Sequence, residues 1–278
     1  MTDPAPPDRA ARSVAALLEA EAAMFTCGSA ASIAIAVAAC LTGTDRAAIA
    51  ALPDGLLPSG PDPDAARGFG AGCGSILFCA AHDRDLGAPV RQMVRLGGGR
   101  PMPVGDADGC ASALVEAAAA RPEVAAGLFL VEDGPEPHPA SARAMLPHFL
   151  FALHTRGLPV IVHTIDAVEP AGLLDAGADL LLLEASMLPG SMMDAPVPDG
   201  SVPECHGLGI VAGRADLVDA CRAQRHGIGA AMQPCSAAIT ALLTRIGTDH
   251  PPIPTGRFAL HSGPDGTLLS DEDEAYLR

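Results

Sequence analysis

The feature that most constrains this chain is an alternation. Short, mostly apolar runs at 23–26, 75–79, 101–104, 128–131, 159–162, 180–183 and 208–212 are separated by stretches with helical spacing of apolar residues. A strand that is apolar on both faces has to be covered on both faces. That is the mark of a parallel or mostly parallel sheet between helical layers. The spacing predicts helices over 11–23, 29–41, 86–96, 110–120, 140–155, 167–176, 215–225 and 236–246, the fifth kinked at Pro147. The expected fold is therefore α/β, a three-layer α/β/α arrangement with a mainly parallel sheet and right-handed crossovers. It is read as a large domain over 1–225 and a short C-terminal region over 226–278, ending in an acidic tail. Two stretches rich in Pro and Gly, 53–74 and 186–207, break the alternation. The second follows a central strand, which is where α/β proteins build their sites.

Composition narrows the function. Hydrophobic residues make up 49% and charged residues 18%, so disorder is excluded as the main state. The formal charge of −16 repels phosphate backbones, and one Tyr with no Trp leaves few stacking platforms, so nucleic acid is not expected as a partner. The longest uncharged run, 22–44, is strongly apolar only over 33–41. A membrane span needs about 20 apolar residues, so none is expected. Residues 1–13 are polar, Pro-rich and carry acids, unlike a signal peptide. A cytoplasmic location with eight reduced cysteines follows as the expectation. All 17 basic residues are arginine; the chain has no lysine. Lysine Schiff bases, lysine general bases and phosphate-binding lysines are thereby excluded within it.

Several side chains are candidates for chemistry. Thr26-Cys27-Gly28-Ser29-Ala30 lies where a strand turns into a helix, so the backbone N–H groups around Gly28, Ser29 and Ala30 could face an anion. Ser29 could equally cap the helix, and the two roles are compatible. Cys27 sits at the positive helix end, which favours thiolate and makes it a candidate nucleophile; the alternative is a small residue suited to a tight turn. Cys73, Cys79 and His82, even with Cys205 and His206, match no zinc spacing, and no Cys-x-x-Cys occurs, so no metal is expected. His163 falls at a strand end, facing the ligand crevice of a parallel sheet, with Asp166 placed to orient it. Met187, Met192 and Met193 could line an apolar pocket, meet a partner or form a flexible cover.

The order of motifs resembles one family, over roughly 15–246. Glu19-Ala-Glu-Ala-Ala-Met-Phe-Thr-Cys-Gly-Ser-Ala-Ala-Ser32 is followed by Thr42-Gly-Thr-Asp45, by His82 and Arg91 with Gly97 and Gly98, and by Gly157-Leu-Pro-Val-Ile-Val162. Ala176-Gly-Ala-Asp-Leu180, Gly209-Ile-Val-Ala-Gly-Arg-Ala-Asp-Leu217 and Ile228-Gly-Ala-Ala-Met232 come after them. This series is similar to the pyridoxal-phosphate fold-type-I proteins related to bacterial seryl-tRNA selenium transferase and D-glucosaminate-6-phosphate ammonia lyase. The resemblance implies an aminotransferase-like large domain, with the Gly28–Ser29–Ala30 turn under the cofactor phosphate, His82 over its ring and the residue at 163 beneath. It also implies elimination or replacement chemistry on an amino acid.

The departures fall at the chemistry. His163 stands where the family has the aspartate that pairs with the pyridine nitrogen. Glu184-Ala-Ser-Met187 replaces Ser-Gly-Gly-Lys, and Gln233 stands where a basic residue is frequent. Against the family, the N-terminal arm reads as absent and the C-terminal domain as shortened. The expected function is thus a divergent relative without lysine-Schiff-base catalysis, a ligand-binding or partner subunit. It would form a homodimer, or a heteromer with a fuller paralogue, and bind a small phosphorylated or amino-acid-like ligand. No covalent cofactor is expected, which leaves pyridoxal phosphate only noncovalent binding. The alternative is a lyase or transferase of altered mechanism, acting on an amino acid or amino sugar. It would use noncovalent pyridoxal or pyridoxamine phosphate, or Cys27, His82 and His163 directly. In either case Gly28, Ser29, His82 and His163 should converge at the C-terminal edge of the sheet.

Overall fold

The structure, a computed structural model, describes residues 6–42, 74–79, 87–104, 112–131, 142–164, 170–188, 207–224, 229, 232–234, 236–246, 261–262 and 268–269. Two compact units divide the chain, Met1–Thr248 and Asp249–Arg278. The first opens with α1 (Pro6–Leu17), β1 (Ala22–Thr26), α2 (Ser29–Thr42), β2 (Ser75–Cys79), α3 (Gly87–Leu96) and β3 (Arg100–Pro103). It continues with α4 (Ser112–Ala119), β4 (Val124–Val131), α5 (Ala142–His154), β5 (Val160–Thr164), α6 (Ala171–Asp175) and β6 (Leu180–Glu184). A 3-10 turn (Ala185–Met187), β7 (Gly209–Gly213), α7 (Ala215–Ala223) and α8 (Ser236–Ile246) complete it. The second unit holds a small antiparallel pair, β8 (His261–Ser262) with β9 (Leu268–Leu269).

Seven strands form one sheet in the order β1-β7-β6-β5-β4-β2-β3. Five of them, β6 through β3 in that order, are mutually parallel. The strand β7 runs antiparallel to both β6 and β1, so β1 points the same way as the parallel set. Helices cover both faces, as the apolar strands require: the fold is three-layer α/β/α with a mostly parallel sheet. Alternate residues of each strand serve opposite faces. Leu128 and Leu130 of β4, Ile161 of β5 and Leu180 and Leu182 of β6 join Ile33, Ile35 and Val37 of α2, with α3 and α7 beside them. Phe129, Val131, Val160, Val162, Leu181 and Leu183 pack instead with α1, α4, α5, α6 and α8. Among the described residues no helix is long and apolar enough to cross a membrane.

Two elements end differently from the sequence expectation. The first helix stops at Leu17 rather than continuing to 23. Glu19 takes φ 55°, its N–H donates to the Ala16 carbonyl and the Ala20 N–H donates to Ala15. This is a left-handed helix stop of the kind glycine usually provides; Gly98, Gly157 and Gly177 provide it for α3, α5 and α6. A glutamate there carries no such signal. The fifth strand runs through His163 to Thr164, so His163 is part of the ladder and does not follow it. The helix α5 continues through Pro147, which lies on its exposed side.

Candidate binding site at the carboxyl edge of the sheet

Because α2 begins directly after β1, its N-terminus lies at the edge where β1, β6, β5 and β4 all end. The turn between them is locked by side chains. Thr26 Oγ1 donates to the Gly28 carbonyl at 3.0 Å and lies 2.7 Å from Ser32 Oγ, which reaches the same carbonyl at 3.3 Å. The Ser32 N–H makes the first helical bond, to Gly28 O at 3.1 Å, so Gly28 is the cap residue and Ser29 the first residue of the helix. The capping role considered for Ser29 therefore belongs to Gly28, at φ +112°, with Thr26 and Ser32 holding it. The amides of Ser29 and Ala30 fall in the first turn, where helix N–H groups have no partner within the helix. Cys27 is exposed, and its N–H donates to the Met232 carbonyl at 3.1 Å. Met232 thus meets the turn, and the Cys27 amide is engaged there.

Gly209 makes this arrangement sterically feasible. A Cβ at 209 would sit 2.4 Å from Thr26 Oγ1 and 2.5 Å from Gly28 O, so the turn rests on bare backbone of β7.

One row inward, cross-strand partners form a line through the sheet: Met24, Val211, Leu182, His163 and Leu130. Ile161, two residues before His163, belongs to the face that α2 covers, and so do Met24, Val211, Leu182 and Leu130. Strand alternation puts His163 on that face as well. The histidine is 5% exposed, and neither Nδ1 nor Nε2 has a hydrogen-bond partner among the described residues. Burial in this apolar row pushes its pKa down to about 4, so the ring is neutral at pH 7. Thr26, Gly209 and Glu184 form the next cross-strand row on this face, and Glu184 is half-buried. A neutral imidazole, the amide-bearing end of α2 and a carboxylate thus share one edge.

Other candidates fall elsewhere. The structure places Met187 in the 3-10 turn after β6, packed against the core on the opposite side of the sheet from α2. Gln233 is exposed, its side-chain amide 3.4 Å from the Gly229 carbonyl. Burial raises the Cys221 thiol and pushes Cys40 up to about 12, so neither is a ready nucleophile. His82, Asp166, Cys73, Cys110, Cys205, His206, Met192 and Met193 lie outside the described residues, as does the side chain of Cys79. No cluster of metal-ligating side chains occurs among the described residues.

Sequence reasoning missed the Thr26–Ser32 lock and Gly209. The first had a signal, a hydroxyl at the strand end and another six residues on. The second had none before the β1–β7 pairing was known.

The carboxyl ends of parallel strands beside a helix N-terminus are where α/β proteins bind ligands, and this edge has both. No protein-family model matches the chain. Among curated proteins it is 33% identical over 224 residues to a 5'-C-glycyluridine monooxygenase-decarboxylase from Streptomyces sp, covering 79% of this chain and 47% of that one. It is 30% identical over 216 residues to D-glucosaminate-6-phosphate ammonia lyase from Salmonella typhimurium (strain 14028s / SGSC 2262), covering 77% of this chain and 49% of that one. The chain spans about half the length of these relatives.

A solved structure of D-glucosaminate-6-phosphate ammonia-lyase superposes at TM-score 0.65 with 26% identity, over 87% of this chain and 57% of that one. A pyridoxal-5'-phosphate-dependent protein from Escherichia coli shares the fold at TM-score 0.51 and 18% identity, over 88% and 54%. Sequence and structure agree on a resemblance to the pyridoxal-phosphate fold-type-I family, ammonia-lyase branch included. The residues present do not fit that cofactor in its lysine-bound form, because the chain has no lysine.

Proposed function

We infer that this chain is a ligand-binding or partner subunit, built on the fold of pyridoxal-phosphate lyases but working without a lysine Schiff base. The observation that carries the reading is that all 17 basic residues are arginine, with Met187 where the family places its lysine. The ligand is a small phosphorylated or amino-acid-like molecule held noncovalently, and pyridoxal phosphate itself binds in the same reversible way. The N-terminus of α2 supports an anion subsite. Glu184, on the same edge, opposes tight anion binding, so phosphate ligands bind weakly and compete with sulfate. A partner, a second copy or a fuller paralogue, completes the assembly. The free thiols Cys27, Cys40 and Cys221 support a reducing cytoplasm.

The test is borohydride reduction after adding pyridoxal phosphate. The expected result is no imine absorbance band, no pyridoxyl group on any side chain, and ligand fully removed by dialysis. A pyridoxyl adduct on a side chain would overturn the reading. Light scattering at micromolar concentration tests the assembly, and a clean monomer counts against it.

A further inference from the structure

Two copies of a chain with formal charge −16 repel each other, so a second copy settles best on a face that carries both signs. The amino edge of the sheet is such a face. Beneath β5, β4 and β3, where α5, α4 and α3 end, stand Arg156, Arg121, Arg100 and Arg95, all exposed. Among the described residues the acid at this half of the edge is Glu123, which pairs with Arg121. A backbone hydrogen bond, then Arg121 and at longer range Arg100, hold the Glu123 carboxyl below its ordinary range, so both guanidinium groups act on the same acid. Leu96, 49% exposed, follows Arg95 and adds an apolar contact. Beneath β6, β7 and β1 the sign reverses. Asp175, Asp216, Glu19 and Glu21 are exposed there and Asp179 is buried beside them, with Arg214 bonded to Asp179 and Asp216.

Helix dipoles do not account for this split. A helix C-terminus favours a cation and disfavours an anion. The helices over the basic half obey: Arg95 is in the last turn of α3, and Arg121 and Arg156 lie two residues beyond α4 and α5. The helices over the acidic half do the reverse. Asp175 closes α6 and Glu19 lies two residues beyond α1. The sign thus follows position along the edge, not the helix end. Nor is the charge used up within the chain. The side chains of Arg95, Arg100, Arg156, Glu19 and Asp175 form no hydrogen bond or ion pair among the described residues.

The dimensions suit a second copy. Seven strands about 4.8 Å apart make an edge about 30 Å long, with halves of about 15 Å. A helix about 10 Å across on each face gives a breadth of about 25 Å. The product, about 750 Å², is close to the roughly 800 Å² per partner of a standard interface. The central strand in the order is β5. A two-fold axis there lays each half of the edge on the opposite half of the other copy.

We propose that the amino edge is a dimer face, on which a second copy docks about a two-fold axis near β5 so that the arginines of each copy meet the acids of the other. The candidate site, at the opposite edge, stays open. The inference names a surface for the assembly read above and rests on that reading; the experiment separates the two.

Sedimentation and light scattering of the full chain at micromolar concentration follow the assembly as sodium chloride is raised from about 0.05 M to about 0.5 M, which collapses the reach of exposed charges. The expected result is a dimer whose dissociation constant rises at least tenfold. Two variants then reverse one half each: Arg100→Glu with Arg156→Glu makes the edge acidic throughout, and Glu19→Arg with Asp175→Arg makes it basic in both halves. Each alone should be monomeric at low salt, with the circular dichroism of the unmodified chain. Mixed in equal amounts they should form a dimer containing one copy of each, seen by native mass spectrometry. A dimer that ignores salt, one that survives in either variant alone, or a mixture that stays monomeric overturns the inference and leaves the partner reading standing. An unmodified chain that is monomeric at low salt overturns both. The salt series needs only the unmodified chain, so a variant that fails to fold does not remove the test.

Discussion

Two buried polar side chains, Asp179 at the amino edge of the sheet and His163 at its carboxyl edge, are treated in opposite ways. At the amino edge, Asp179 immediately precedes β6 and is nearly enclosed. Its carboxylate accepts from the Val160 N–H at 2.8 Å, from His154 Nε2 at 2.9 Å and from the Arg214 guanidinium at 2.9 Å. The Asp179 carbonyl accepts from the Arg214 N–H at 3.0 Å. One residue thus ties the start of β5, the end of α5 and the approach to α7 together. Glu21 adds a cap, its carboxylate accepting from the Ala215 N–H at 2.8 Å. At the carboxyl edge, His163 is as deeply buried as Asp179 and bonds to nothing described. Asp179 spends its oxygens on holding the fold. His163 leaves its ring nitrogens unspent among the described residues, at the end where parallel sheets bind ligands. The contrast teaches that burial alone does not mark a candidate site; burial without a partner among the described residues, at the carboxyl edge, does.

The comparison can be broken from either side. The largest effect is expected for Asp179→Ala, which strands the buried Val160 N–H and releases Arg214 and His154 at once. Urea unfolding should show a loss of about 2–4 kcal/mol. A loss below about 1 kcal/mol would mean that this junction does not hold the amino edge. Next comes Gly209→Ala, whose Cβ would meet Thr26 Oγ1 and Gly28 O at 2.4 and 2.5 Å. Overpacking of this kind costs about 1–3 kcal/mol, and the turn cannot yield without opening the Thr26–Ser32 lock. Sulfate binding should weaken along with the melting temperature.

The opposite sign is expected at the other edge. His163→Leu should stabilise the ligand-free protein by about 1–2 kcal/mol, because it removes two unmet polar atoms from an apolar row. A destabilised His163→Leu protein would show that the imidazole has an internal role after all. The same variant sharpens the pH dependence. In the folded chain burial lowers His163 to about 4, against 6.5 for a free imidazole. Between those values the unfolded state binds the extra proton, so stability falls as pH drops from 6.5 toward 4. The difference between the unmodified chain and His163→Leu should therefore grow over that window and be flat above it. The smallest effect is expected for Ser32→Ala, which removes one of two hydroxyls on the Gly28 carbonyl and should cost about 1 kcal/mol.

Much of this was legible in the sequence, for stated physical reasons. The strands of the parallel sheet could be read because each is apolar on both faces, and α2 because 29–41 is apolar almost throughout. The turn at Gly28 could be read from a glycine between a strand and a helix. The length of β4 could not, since Val124-Ala-Ala-Gly127 lacks the bulk that marks a strand. Nor could the stop at Glu19, which uses backbone conformation where a glycine would have announced it. At the site, the sequence pointed to His163 but not to its isolation. That isolation depends on Leu130 and Leu182, which are 33 and 19 residues away and become its neighbours only through β4 and β6. His82, predicted to share the pocket, lies outside the described residues, so the convergence of the two histidines rests on the sequence alone.

The contrast between the edges is tested most directly by nitrogen-15 NMR of the histidine-labelled protein at pH 6, with and without 4-deoxypyridoxine 5'-phosphate. His163 and His154 are assigned by His163→Asn and by His154→Gln. The account predicts a neutral His163 ring in the free protein. It also predicts that the His163 nitrogen resonances move when the probe is added, while those of His154, already bonded to Asp179, stay in place. A His163 ring that is protonated at pH 6, or one whose resonances ignore the probe while His154 responds, would contradict it.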